Sequence, residues 1–493
     1  MARPSRYFWL VVVLIVIGGA APRFYDLGGP SLWLDEVFTN LYAHAPVADT
    51  LAYLRDDASL TPFYFLSLHA YPTGSDAWLR SFSALMGTLS IVLFIVMIDR
   101  LYDDRWLALW AGALLAVNAY SVWLSHTARM YTLTLLLVII VSYCFLAILK
   151  RQDTRWTWII FVAASSAAYI THYFLAALPV VQYVVMGAVL RRRRSLFRRW
   201  VIAQAVAVVP LLFWFAYLIA QGHTRIPIGW IREPRLKDVA YTIFDMTIGY
   251  TTHVPWYAFP GLIAALIGLG AGMVYAAPRY RAEPLRWYWF GLVVGTLVVV
   301  YIASYLITPL YVDRYFVVFL PGLILLILEG WQRLLQRYPR AILNAVVALI
   351  FVTGAVATLI GLHDKIYYKE DWRGVAVYID QHSQPGDGVV AGQPIEVLAL
   401  QRYSDQEQLS YTWLEEPDRE TMQPFDKPVN RLWVVVHPAT KSSHQSQVVF
   451  PPFKAGFTAT EDQMPPWLLE RKDHIVETKT FNGLVLFRLD TQP

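Results

Sequence analysis

The sequence predicts a polytopic α-helical membrane protein with a small α/β domain at its C-terminal end, and three observations support this. Apolar side chains make up 57% of the 493 residues against 16% charged, with a mean hydropathy of +0.42, which is more than a soluble core of this length needs. These residues fall in runs of about 20, the length of a bilayer crossing. Tyrosine and tryptophan gather where those runs meet polar loops, as at Tyr7, Trp9, Trp78, Trp106, Trp156, Trp158, Trp200 and Trp287, the interfacial belt expected of membrane helices.

About eleven spans are expected, over residues 7–22, 78–98, 106–124, 131–149, 156–171, 173–190, 200–220, 256–276, 287–307, 315–330 and 341–361. Every second connection is basic: Arg3 and Arg6, Arg100 and Arg105, Lys150 to Arg155, Arg191 to Arg199, Arg279 to Arg286, and Arg333 to Arg340. The positive-inside rule assigns these loops and the N-terminus to the cytoplasm. The first outward loop, 23–77, the second long outward loop, 221–255, and everything from 362 onward then lie outside the cell membrane. The run from Tyr7 to Ala21 also has the build of a secretory signal peptide, but its retention keeps the later topology consistent. The net charge of +5 is explained by these short loops and does not indicate nucleic acid. The single cysteine, Cys144, sits in an apolar run, so neither a disulfide framework nor a thiolate metal cluster is available.

Residues 1–361 therefore form the membrane module and 362–493 a soluble α/β domain. In the latter, Trp372 to Gln381 has helical spacing, and Gly388 to Ala391 follows a Pro-Gly-Asp turn as a strand. Leu432 to Val436 reads as a buried strand, and Asn482-Gly483 joins two final strands as a hairpin.

The first outward loop carries Asp26, Asp35, Glu36, Asp49, Asp56, Asp57 and Asp76 against only Arg23 and Arg55. Such an acidic excess suits a cation or proton abstraction. Asp35 and Glu36 follow a largely apolar tetrad, which places the pair near the bilayer surface, where a carboxylate can serve as a general base. The plainer alternative is a helix start with both acids in its first turn. One aspartate of the Asp56-Asp57 pair, with Asp57 the candidate ligand, would meet Asp35 to hold a divalent ion, Mg2+ or Mn2+, or to orient an acceptor; the plainer reading of the pair is a solvated turn. Cations at the membrane edge, Arg80, His126, Arg129 and Arg314, suit a phosphate group or an acid partner, with interfacial snorkelling as the plainer reading for Arg80. His172 is either a ligand or a polar packing residue. No histidine pair has metal-ligand spacing, and there is no phosphate-cradling glycine loop or dinucleotide fingerprint, so an activated donor would have to arrive through the membrane.

Several short motifs, in order along the chain, resemble those of the GT-C superfamily of membrane glycosyltransferases, in particular the group similar to protein O-mannosyltransferases and lipid A aminoarabinose transferases. They are Leu32-Trp33-Leu34-Asp35-Glu36, Pro62-Phe63-Tyr64-Phe65, Trp78-Leu79-Arg80 and Ser125-His126-Thr127-Ala128-Arg129-Met130-Tyr131. Asp313-Arg314-Tyr315 with Leu320-Pro321, and Asp371-Trp372-Arg373-Gly374-Val375-Ala376 with Pro385-Gly386-Asp387, complete the series. The resemblance implies a GT-C fold and transfer of a hexose or pentose from a polyprenyl phosphate carrier to a glycan, lipid or protein acceptor at the outer face. It makes Asp35 the catalytic carboxylate with Glu36 its neighbour; the reaction it implies needs substrate and phosphate contacts, for which Asp57, Arg80, His126, Arg129, Tyr131 and Arg314 are the candidates. Relatives usually read His-Pro-Pro where this chain has Leu60-Thr61-Pro62, which leaves open whether Asp57 substitutes there. A transporter or flippase of lipid-linked sugars is the competing class. Against it stand the acids' outward-loop placement and the absence of paired interrupted spans in matching halves.

Overall fold

Within hydrocarbon the backbone must satisfy its own hydrogen bonds, so long apolar runs become helices. The computed structural model describes residues 6–190, 193–223, 231–250, 256–279, 282–363, 370–414, 429–436, 464 and 466–490. Residues 224–230 and 251–255 of the second outward loop thus lie outside the described residues. Among the described residues, eight helices are long and apolar enough to cross a membrane: Arg6–Phe24, Asp76–Tyr102, Tyr131–Leu149, Arg194–Ala220, Phe259–Arg279, Pro284–Leu306, Asp313–Leu334 and Arg340–His363. A ninth is the pair Arg105–Ala116 and Ala119–Ser125, bent by 57°. The chain is a multi-pass membrane protein.

The remaining two expected spans are helical but short. Arg155–Tyr169 has 15 residues and Ala177–Leu190 has 14; 15 residues reach only about 22 Å, against a hydrocarbon core of about 30 Å. Between them the helix stops at Thr171-His172, where the His172 ring accepts a hydrogen bond from the Phe174 amide at 3.2 Å.

The bend in the paired span has a local cause. Asn118 caps the second helix by accepting from the Ser121 amide at 2.8 Å. The carbonyls left over at the end of the first, Leu115 and Ala116, accept from the buried guanidinium of Arg23 at 2.9 and 2.8 Å. Elsewhere small residues bring helices together: a β-carbon at Gly272 would lie 2.1 Å from the Leu326 carbonyl, and one at Gly330 would lie 1.9 Å from that of Gly268. Only glycine permits that approach of Phe259–Ala276 to Leu320–Leu334.

Contacts divide the chain into two units. One comprises residues 1–27, 42–74 and 78–363; the other takes 28–41, 75–77 and 364–493. The second unit contains a five-stranded sheet of β1 (Asp387–Ala391), β2 (Ser410–Trp413), β3 (Arg431–Val436), β4 (Ile475–Phe481) and β5 (Leu484–Asp490), ordered β2-β1-β3-β5-β4. β1 is parallel to β2 and β3, while β5 is antiparallel to β3 and β4. Val390, Leu432, Val434, Phe487 and Trp467 form its core. Gly483 turns the β4–β5 hairpin at φ +74°, and a side chain there would also press on Glu370, 3.2 Å away. Behind the Pro-Gly-Asp turn, Asp387 is buried and receives Arg431 at 2.7 and 3.0 Å and the Trp433 indole at 2.9 Å.

Candidate functional site

Apolar Leu32 and Trp33, both buried, bring the chain to the start of helix Leu34–His44, whose first turn holds both members of the acidic pair. The Trp33 carbonyl accepts from the amides of Glu36 and Val37 at 2.8 and 2.9 Å, which makes Trp33 the residue preceding the first turn. Glu36 is fully buried and its Oε2 takes the Trp33 amide at 3.4 Å, the return half of a capping arrangement. Asp35, one position earlier, is only half-buried. The two acids are thus unlike: Glu36 is fully buried in the helix start, while Asp35 is half-buried.

The same unit holds this segment by several hydrogen bonds. The Leu32 amide donates to the Tyr403 hydroxyl at 2.8 Å, and Ser31 Oγ donates to the Glu370 carbonyl at 2.9 Å. Tyr403 in turn donates to Asp76 Oδ2 at 2.6 Å, and burial, reinforced by the Asp76 charge, pushes its hydroxyl up to about 12. It therefore remains a protonated donor throughout the working range. Nothing in local sequence announces this, since Leu32 and Tyr403 are 371 residues apart.

In the other unit, Arg129, Tyr131 and Arg314 come together. Arg314 Nε donates to the Tyr131 hydroxyl at 2.8 Å, and all three side chains are buried. His172 packs edge-on to Tyr315 with ring centroids 4.6 Å apart and lies 6.4 Å from Tyr131. The charges of both Arg129 and Arg314 reach its imidazole. Arg129 also lies over the Phe65 ring at 6.0 Å. Two guanidinium groups inside an aromatic lining make an environment suited to a phosphate, because in low dielectric a cation acts strongly on a nearby anion. His172 belongs to this cluster; its position between two adjacent short spans was the signal for it in the sequence.

The remaining candidates sit elsewhere in that unit. Arg80 donates to the Leu27 carbonyl at 2.8 Å and is fully buried rather than snorkelling. His126 Nε2 donates to the Pro22 carbonyl at 2.7 Å, tying the second helix of the bent pair to the first span. Asp57 accepts from the Ser59 amide and hydroxyl at 3.3 and 2.5 Å, a local turn, and its charge reaches Tyr173. Asp56 forms an exposed pair with Arg55 at 2.8 Å. The turn carrying Asp57 is pinned to the His172 segment, where Tyr173 donates to the Ala58 carbonyl at 3.1 Å and the Phe63 amide to that of Ile170 at 3.0 Å. Asp57 Oδ1 is thus engaged by Ser59, and among the described residues no group of three His, Cys, Asp or Glu is arranged to hold a metal.

A scan of the sequence against protein-family models finds no match, and a search of curated proteins finds none either. Solved structures do match. ArnT from Cupriavidus metallidurans in the apo state is similar at 14% identity and a TM-score of 0.57 over 97% of both chains. The same protein bound to undecaprenyl phosphate is similar at 14% identity and 0.56 over 98% of both. The apo oligosaccharyltransferase of Archaeoglobus fulgidus is similar at 13% identity and 0.51, over 82% of this chain and 64% of that one. With these membrane glycosyltransferases as structural neighbours over most of its length, the chain has the GT-C fold.

Proposed function

We propose that this protein transfers a sugar from a polyprenyl phosphate carrier to an acceptor hydroxyl at the outer face of the cell membrane, with inversion and with Asp35 as general base. The observation that carries the reading is the buried cluster of Arg129, Arg314, Tyr131 and His172, set in a chain whose fold is similar to that of a protein crystallised with undecaprenyl phosphate.

Asp35 takes the proton of the acceptor hydroxyl as its oxygen attacks the anomeric carbon. The bond from that carbon to the phosphate oxygen breaks on the opposite face, so one displacement inverts the configuration. The electron pair leaves on the lipid phosphate, and Arg129 and Arg314 stabilise the charge that gathers there. Tyr131 fixes the Arg314 fork through its hydroxyl, and His126 and Arg80 tie their helices to the Pro22 and Leu27 carbonyls. Glu36 orders the helix start rather than exchanging protons.

The topology of the proposal has the N-terminus in the cytoplasm and residues 362–493 outside, with the acceptor a glycan, lipid or protein and the donor lipid drawn from the membrane. The test is to incubate purified protein with a panel of polyprenyl phosphate sugars and follow release of free polyprenyl phosphate. Turnover of at least one donor supports the reading, and movement of an intact lipid-linked sugar across the bilayer without release would replace it with a flippase.

A further inference from the structure

The segment that carries the acidic pair into its helix is irregular from Gly28 to Trp33, so its backbone groups have no ladder partners and must be satisfied by side chains or water. The partners are strong ones. Arg373 Nη1 donates to the Gly28 and Gly29 carbonyls at 3.1 and 2.8 Å, Tyr403 accepts from the Leu32 amide at 2.8 Å, and Ser31 reaches the Glu370 carbonyl at 2.9 Å. Asp76 binds these partners to one another: it accepts Tyr403 at 2.6 Å, Arg373 at 2.8 Å, and Arg402 through Nη2 and Nε at 2.6 and 3.0 Å. Four donors on one buried carboxylate, three of them charged, form a rigid node. Arg373 also lies 4.9 Å from the centre of the Tyr403 ring, closing the arrangement.

We infer that Tyr403, fixed by Asp76, Arg373 and Arg402, is a positioning residue that sets where the Asp35 carboxylate stands. This rests on the reading of Asp35 as the base. The Tyr403 contact falls on Leu32, three residues before Asp35, and the next residue, Trp33, supplies the carbonyl that begins the helix. Loss of the contact frees the entry to the helix while leaving every catalytic group chemically intact. A base displaced by about 1 Å costs up to about a hundredfold in rate, whereas donor binding, proposed for the arginine cluster, is unaffected.

The experiment compares wild type, Tyr403→Phe and Asp76→Asn as full-length protein in lipid nanodiscs. Tyr403→Phe should lower kcat for release of free polyprenyl phosphate about tenfold with KM for the lipid donor within about twofold. Hydrogen exchange over residues 28–37 should accelerate at least about tenfold while β1 and β3 exchange as in wild type. Asp76→Asn should show the same pattern, and Tyr403→Phe should add no further kcat loss to Asp35→Asn. The inference is overturned if Tyr403→Phe leaves kcat unchanged even though the segment exchanges faster, or if its loss of rate comes with faster exchange across the whole sheet. Failure of the base reading appears separately, as full activity in Asp35→Asn.

Discussion

Arg314 and Tyr131 join two spans at a buried hydrogen bond of 2.8 Å, guanidinium to hydroxyl, and each stands at or beside the first residue of its apolar segment. That bond fixes the plane of one of two buried cations, Arg314 and Arg129, whose charges both act on His172.

The first prediction concerns this pair. Arg314→Lys keeps the charge but loses the planar fork, and transfer should fall about tenfold or more with normal membrane insertion. Tyr131→Phe removes only the hydroxyl and should cost less, about two- to fivefold. Rates equal to wild type in Arg314→Lys would mean that the fork geometry is not used.

Glu36 and Asp35 should separate cleanly. Glu36→Gln keeps an oxygen for the Trp33 amide and should retain transfer within about threefold, whereas Glu36→Ala loses the cap, worth about 1 kcal/mol. Exchange over residues 34–38 would then quicken about fivefold. If Glu36→Gln abolished transfer with the helix start intact, the assignment of the base would move to Glu36.

A third prediction is a pH dependence. Burial alone would raise the Asp387 carboxyl, but hydrogen bonds from Arg431, the Gln384 amide and the Trp433 indole outweigh it and hold it below the usual carboxylate range. A group depressed in the folded state stabilises the fold above its unfolded value, about 3.9, and that contribution is lost as pH falls through the lower folded value. The sheet should therefore loosen below about pH 4, read as faster amide exchange in β1 and β3. Asp387→Asn should be less stable than wild type at pH 7, with the gap closing under acid.

Sidedness has a direct assay, because the only native thiol, Cys144, is buried. Glu470 is exposed, and Glu470→Cys in a Cys144→Ala background should react with a membrane-impermeant maleimide from outside intact cells. Labelling only after the cytoplasm is opened would invert the topology.

Much of this architecture was legible because it is written locally. Apolar runs and basic loops mark the spans, and Asn482-Gly483 and Pro385-Gly386-Asp387 mark turns that occur where expected. The short helices around Thr171 and His172 were harder, since length alone does not reveal where a helix stops when its apolar run continues. The site was legible in part. Arg129, Tyr131 and Arg314 lie in recognisable motifs, yet their meeting with His172 depends on the packing of separate spans. The Asp76 node was invisible: Arg373, Arg402 and Tyr403 lie 297 to 327 residues from it, and no periodicity links charges at such separation.

The most direct test is release of free polyprenyl phosphate by wild type and Asp35→Asn, assayed side by side with the same lipid-linked sugar panel. Wild type should release it, and a normally inserted Asp35→Asn should do so at a rate lower by about a hundredfold or more. Equal release by the two proteins would contradict the assignment of Asp35 as base.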